Sequence, residues 1–207
     1  MDNSCICTAP ERGSYTARPT TDADAVVNIR ADQRMFTRFT AALAELGLTP
    51  ETSGDGHQHR WLNGLAQVDV LIPEGVGARA AKLHGVGGAP TVSSPGTTQA
   101  LTRTEAVEVI VEGRAGTILR PNLVGALVGK AAARVELGGG RAASRHCVDF
   151  VVLASLLAAR DLRESPLDRK DRQRLSRMIP LCRKDGPAML VGEADEHLGR
   201  LQRAIDR

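Results

Sequence analysis

The sequence predicts an α/β (α+β) fold, a small mixed β-sheet core followed by a C-terminal helical bundle. Two observations predict it. Short runs rich in Val and Ile, several alternating apolar with polar, are concentrated in the first 120 residues. From Pro121 onward apolar residues recur at three and four, the spacing of one helix face. The domain organisation read from this is an irregular lead-in over 1–17, an α/β core over 18–120, and a helical region over 121–207 packed on that core.

Composition bounds the rest. A chain of 207 residues is long enough to bury a sizeable core. Hydrophobic residues make up 42% but aromatic ones only 2%, so Ala, Val and Leu are expected to build it. A formal charge of +3 is too mild to claim a nucleic-acid partner. Nine Arg or Lys residues fall between Arg160 and Lys184, with Arg134, Arg141 and Arg145 upstream, which suits either a polyanion or a solvated helix face. Cysteines 5, 7, 147 and 182 have no metal-site or disulfide-framework spacing. No apolar run approaches the ~20 residues of a membrane helix, and no signal-peptide core opens the chain, so a soluble, cytoplasmic protein is expected.

The first strand is read from Asp22 to about Asn28. A period of two places Asp22, Asp24, Val26 and Asn28 on one face and Ala23, Ala25 and Val27 on the other. Two carboxylates side by side are costly unless a cation shares them, and magnesium is the usual partner of an all-oxygen site. The plain alternative is a solvated acidic turn at the head of a strand. Asp32 reads as a helix N-cap, Met35, Phe36, Phe39, Ala42, Leu43 and Leu46 as an amphipathic stripe, and Gly47 as the stop. Residues 49–56 are loop-like in composition. His57–Leu62 and Gln67–Ile72 then read as a hairpin around Asn63-Gly64-Leu65-Ala66. Asp69 interrupts a β-branched run, which points to a sheet edge or a functional carboxylate. His57 and His59 have strand spacing but read as surface or satisfied histidines rather than a metal pair.

Residues 73–98 read as a long connection with a short helix near Gly77–Leu83, and Gly85–Gly88 lacks the strand–glycine–helix context of a phosphate loop. Ala106–Val111 is a strand turning at Gly113 into a short partner at Thr117–Leu119. Pro121 is placed as the first helical residue. Gly125 and Gly129 in that helix admit a close neighbour, and Lys130, in a small apolar segment, either snorkels out or meets an anion. A helix over Arg141–Arg160 buries Phe150, Leu153, Ala154 and Leu157, with Arg145 and Asp149 spaced to pair. Ser165-Pro166 opens a helix through Met178, and Pro187 precedes a last helix over Met189–Ile205.

Four of these stretches, Arg-Pro-Thr-Thr-Asp-Ala-Asp-Ala-Val-Val (18–27), Val-Asp-Val-Leu-Ile-Pro (68–73), Pro-Asn-Leu-Val-Gly-Ala-Leu-Val-Gly-Lys-Ala-Ala-Ala (121–133) and Arg-His-Cys-Val-Asp-Phe (145–150), carry a resemblance in their order and spacing. Together they resemble the nucleotidyltransferase superfamily, with its DNA polymerase β-like fold, and within it the AbiEii-type toxin-like branch. The resemblance implies that Asp22, Asp24 and Asp69 are the catalytic and metal-binding acids, holding one or two Mg2+ ions that bridge a nucleoside triphosphate. Asp69 would hold the second ion or act as base. It further implies that Lys130, Arg134, Arg145 and Asp149 belong to the nucleotide-binding set. The family's helix-opening glycine pair is matched by Gly13-Ser14, only seven residues before Asp22 and with Pro19 between, so the N-terminus reads as shortened or divergent. The implied activity is transfer of a nucleoside monophosphate from an NTP to an RNA end or a protein hydroxyl, as a toxin with a cognate antitoxin as possible partner. The alternative is a catalytically degenerate relative that binds nucleotide, RNA or a partner protein without chemistry. A plain α/β domain with structural acids is the third reading, in which the three carboxylates do not converge.

Overall fold

The computed structural model describes residues 22–111, 113–138 and 143–207. The architecture is an N-terminal mixed β-sheet with helices followed by a C-terminal helical region. The described residues divide into two compact units, 22–97 and 98–207.

The first unit contains β1 (Asp22–Val26), α1 (Met35–Glu45), β2 (Thr49–Glu51), β3 (Arg60–Asn63), β4 (Ala66–Pro73), a 3-10 turn at Ala80–Lys82 and β5 (Val92–Ser94). The strand order is β1-β4-β3-β2, with β5 also paired to β4. β1 and β5 run parallel to β4, whereas β3 is antiparallel to both β4 and β2. A two-residue turn joins β3 to β4, and Gly64, at φ +58°, takes the left-handed conformation that such hairpin turns require.

Alternation divides the sheet into two unlike faces. Val70 and Ile72 of β4 and Trp61 of β3 enter a core with Val27, Ile29, Phe36 and Leu43, against which Phe39, Leu48 and Val68 pack. Helix α1 covers this face because Phe36, Thr40 and Leu43 lie along its buried stripe. The opposite face receives the residues between: Asp22, Asp24 and Val26 of β1, Gln67, Asp69 and Leu71 of β4, and Arg60 and Leu62 of β3. The buried core is therefore more aromatic than composition implied, since Phe36 and Trp61 are its largest members.

Several local expectations change. Residues 49–56 are not wholly loop, for Thr49–Glu51 pairs with Arg60–Leu62 as an edge strand, where Pro50 is tolerated. Asp69 does not mark a sheet edge, because β4 has strands on both sides. Asp32 is not the immediate cap of α1; its Oδ1 accepts from Arg34 N at 2.9 Å, closing the turn just before the helix.

The second unit contains α2 (Thr97–Thr102, whose first residue groups with the sheet unit), the antiparallel ribbon of β6 (Thr104–Val111) and β7 (Arg114–Pro121), and helices α3 (Leu123–Leu137), α4 (Ala143–Leu156), α5 (Ala159–Glu164), α6 (Arg169–Arg183), α7 (Gly186–Met189) and α8 (Ala194–Ile205). Pro121 ends β7 rather than opening α3; Asn122 is the N-cap, its side chain accepting from Gly125 N at 2.9 Å. Gly125 does mark a close approach, since a Cβ there would lie 3.1 Å from Arg103 Cβ, while Gly129 meets nothing within 4 Å. The expected single helix over 141–160 is two, broken between Leu156 and Ala159. The next begins four residues later than Ser165, where Asp168 and Asp171 form a reciprocal capping box. It runs to Arg183 with Pro180 inside it. The last is interrupted at Leu190–Glu193, where Glu193 adopts φ +56°.

Two buried charges of this unit, Asp171 and Arg174, are held in pairs. Asp171 is fully buried, and its Oδ2 accepts from Arg103 Nη2 at 2.6 Å and from Asp168 N at 3.1 Å. Arg103 also donates to Ser165 Oγ and to the Pro166 carbonyl, at 3.0 and 2.9 Å. Arg174, likewise buried, donates to Glu136 Oε1 at 2.6 Å and Gln99 Oε1 at 2.9 Å. Breaking such a pair strands a charge in low dielectric. Asp171→Ala is expected to lower folding stability by about 3–5 kcal/mol, measured as the fall in the urea midpoint by far-ultraviolet circular dichroism. Arg38→Ala, which removes an exposed pair to Asp32, is expected to cost under about 1 kcal/mol in the same assay.

Candidate functional site

The parallel register of β1 on β4 sets Asp24 beside Asp69 and Asp22 beside Gln67. All three sequence-predicted acids therefore lie on one sheet face, opposite the core. Asp24 is exposed, whereas Asp22 and Asp69 are partly buried. Like charges directly across neighbouring strands are destabilising, and the structure supplies the counter-charge from the antiparallel side, where Arg60 is the register partner of Asp69. Arg60 Nε donates to Asp69 Oδ1 at 3.1 Å and Nη2 to Oδ2 at 3.4 Å, a two-pronged pair. Gln67 Nε2 donates to Oδ1 as well, at 3.1 Å. The pKa of Arg60 is raised, first by the hydrogen bond to Asp69 and then by its charge, with further contributions from Glu51 and Asp22. The guanidinium thus lies in the field of acids from three strands.

Arg60 was not singled out in the sequence. The signal was present: counting back from a hairpin turn at Gly64-Leu65 places an arginine opposite the anomalous aspartate. His57 Nδ1 lies 3.2 Å from Asp55 Oδ2, but it and His59 Nδ1 are buried without a hydrogen-bond partner among the described residues, so neither is the satisfied surface histidine expected. Gly13 and Ser14 lie outside the described residues.

The implied magnesium can be tested against these residues. Among the described residues, no three His, Cys, Asp or Glu side chains form a cage for a metal ion. Magnesium rarely uses one. It keeps several waters and is held by one or two carboxylates together with phosphate oxygens. The Asp22–Asp24 pair offers that hard, all-oxygen donor set, so the residues fit a substrate-shared ion better than a resident one. Asp69 already has a protein cation.

The other predicted residues, Lys130, Arg134, Arg145 and Asp149, belong to the second unit, on α3 and α4. Lys130 Nζ lies 2.9 Å from Asp149 Oδ2; the carboxylate is buried and the amine one-third exposed. Lys130 thus meets an anion of the protein's own, rather than snorkelling away from the apolar segment that surrounds it. His146, three residues before Asp149 on α4, was overlooked although it stands inside the Arg-His-Cys-Val-Asp motif. Among the described residues, its Nδ1 and the Nε of Arg134 are buried without a hydrogen-bond partner. Burial lowers the His146 pKa below its ordinary 6.5, and Lys130 lowers it further against the opposing pull of Asp149. Lys130, Arg134 and Arg145 thus surround the His146 ring with positive charge, against one carboxylate, Asp149, that is paired with Lys130.

Cysteine chemistry is not offered here. Cys147 and Cys182 are buried, and desolvation raises the pKa of both thiols. Buried thiols held in the protonated form are poor nucleophiles. None of the helices among the described residues is long and apolar enough to cross a membrane.

No protein-family model, no curated protein and no solved structure matches the chain.

The depressed His146 pKa has a defined consequence. The neutral ring's contribution to stability is complete above pH 6.5. It is lost as pH falls from there through the lower folded value, because the unfolded chain binds the proton first. His146→Gln is expected to flatten the fall in urea midpoint over that window relative to the wild type. Parallel denaturation curves at pH 7.5, 6.5 and 5.5, about one unit either side of the ordinary histidine value, check this.

Proposed function

We propose that the protein is a metal-dependent nucleotidyltransferase that moves a nucleoside monophosphate from an NTP to an RNA end or a protein hydroxyl. One observation carries the reading: acids from an acid-x-acid strand and from its parallel neighbour share one face of the sheet, in register. In such a reaction the acceptor hydroxyl attacks the α-phosphorus, a new P–O bond forms, the α–β bridge breaks, and pyrophosphate leaves with its electron pair. Bound magnesium would neutralise charge on the phosphate oxygens and lower the pKa of the attacking hydroxyl. Asp22 and Asp24 would hold it. Asp69, once released from Arg60, would accept the proton of the hydroxyl. The basic cluster of Lys130, Arg134, Arg145 and His146 supports phosphate binding by the second unit. A toxin role with a cognate antitoxin rests on the resemblance alone.

A second reading is favoured by the Arg60–Asp69 pair. A guanidinium occupies the place that the resemblance assigns to a second metal ion. A protein using this face to bind nucleotide, RNA or a partner without chemistry retains the fold and the charges and needs no free third acid.

Transfer from each of four α-labelled nucleotides to total cell RNA and protein, with Mg2+, tests the reading. Label is expected in one acceptor class. Asp22→Ala combined with Asp24→Ala is expected to abolish it, and Asp69→Asn to reduce it by about 10²-fold or more. Absence of transfer with every nucleotide overturns the catalytic reading. Calorimetric nucleotide binding that persists unchanged in Asp69→Asn then supports the binding one.

A further inference from the structure

The helical unit has a cleft that shares no lining residue with either charged cluster described above. It lies among the end of α4, the short α5 and the last turns of α8, with a volume of about 460 Å3. That is within the range of small-ligand sites, roughly 300–1,000 Å3. Its floor is aliphatic, made by Leu157, Leu162, Leu201 and four alanines. Its charged lining is of one sign, with Arg163, Arg200, Arg203 and Arg207 contributing and no acidic side chain among the residues that line it.

The local structure keeps it so. Three acids stand one residue from the lining: Asp161 turns back to cap its own helix, accepting from Ala158 N at 2.8 Å, Asp206 Oδ1 accepts from Gln202 Nε2 at 2.9 Å, and Glu164 is exposed. Arg200 Nη2 donates to the carbonyls of Ala154 and Ser155, at 3.1 and 3.2 Å, and is thereby fixed at the negative end of α4. Arg163, Arg203 and Arg207 are exposed. Four guanidinium groups around an apolar hollow repel one another unless an anion joins them, and water on the aliphatic floor is easily displaced.

We propose that this cleft binds a single-chain anionic amphiphile. The aliphatic chain lies on the leucine and alanine floor, and a carboxylate or phosphate head is held by the arginines, whose planar forks match either group. A single-stranded nucleic acid is disfavoured, because no aromatic side chain lines the cleft to stack a base. The volume is that of a small molecule rather than of an extended protein surface. The proposal is independent of the nucleotidyltransferase reading and does not depend on its outcome.

Calorimetry on the full chain tests it, with dodecanoate and dodecyl phosphate below their micelle concentrations. Saturable binding of one molecule per chain is expected for at least one of them. Arg163→Glu combined with Arg203→Glu is expected to weaken it by about tenfold or more, and Leu162→Gln to weaken it also. Both arginines are exposed and Leu162 is half-buried, so the variants keep the fold, which circular dichroism verifies. Dodecyltrimethylammonium, with the same chain and opposite charge, and inorganic phosphate, a head without a chain, are expected not to bind. Equal binding of the cationic amphiphile overturns the proposal, as does affinity indifferent to the arginine reversals. Binding to anionic phospholipid vesicles without binding of either free probe overturns it in favour of a membrane surface. Binding of an acidic amphipathic peptide alone overturns it in favour of a protein segment.

Discussion

The carboxylate pair across β1 and β4 is the constraint on which the sheet face depends. Parallel neighbours stand about 4.8 Å apart. Two unit charges at that spacing repel by about 3 kcal/mol at an effective dielectric near 20, and by less than about 1 in bulk water. Asp24 is exposed and Asp69 is not, so the actual cost lies between. Arg60 offsets it from the far side of β4 through two hydrogen bonds to the buried member. The central strand can therefore carry an aspartate in the middle of a β-branched run. Its other face, with Val70 and Ile72 buried, supplies the packing that holds the register. A one-residue slip of β1 would exchange the acids for alanines and place two carboxylates against the aromatic core. Register and the charged face are the same specification.

The two units treat buried charge differently. The sheet unit keeps its acids on a partly solvated face and builds its core from Phe36, Trp61 and branched aliphatics. The helical unit has few aromatics and closes around small side chains, with Ala131, Ala132, Ala154 and Ala188 all buried. Such a core brings helix backbones close and leaves little room for water. Ionised groups inside it are paired, Asp171 Oδ2 by Arg103 and Arg174 by Glu136 and Gln99. Among the described residues of this unit, Asp171 Oδ1, Arg134 Nε, His146 Nδ1 and His197 Nδ1 are buried without hydrogen-bond partners, and the second and third of these lie near Lys130. On the transferase reading, Arg134 Nε and His146 Nδ1 would be the groups that a phosphate meets beside the Lys130–Asp149 pair.

Much of the sheet unit was legible because its signals are local. The alternation of Asp22 to Val27, the three-and-four spacing from Met35 to Leu43, and the glycine turn before the Val-Asp-Val strand each involve neighbours in sequence. The face assignment of Asp22 and Asp24 followed from the period alone. What escaped depends on partners distant in the chain. Thr49–Glu51 becomes a strand only because β3 offers it an edge. Asp69 looked like an edge residue because its partner Arg60 is visible only once the hairpin is registered. In the helical unit, the break after Leu156 has no proline or glycine to announce it, whereas Gly192 stands in the break before Ala194, beside the left-handed Glu193. Pro180, which does announce one, sits inside a continuous helix.

The arginine on Asp69 also bears on how the face can act. A guanidinium stays protonated at any physiological pH, and here its pKa is raised still further. It cannot be removed by titration, only displaced. A cation approaching Asp69 must exchange one charge-assisted pair for another at a carboxylate whose Oδ1 also accepts from Gln67 Nε2. The charge of Asp22 also reaches Arg60. On the transferase reading proposed above, Asp22 and Asp24 would hold a divalent ion together with phosphate oxygens of the substrate. Asp69 would serve as a base only once Arg60 had moved aside, so the reactivity of the third acid would depend on what displaces that guanidinium.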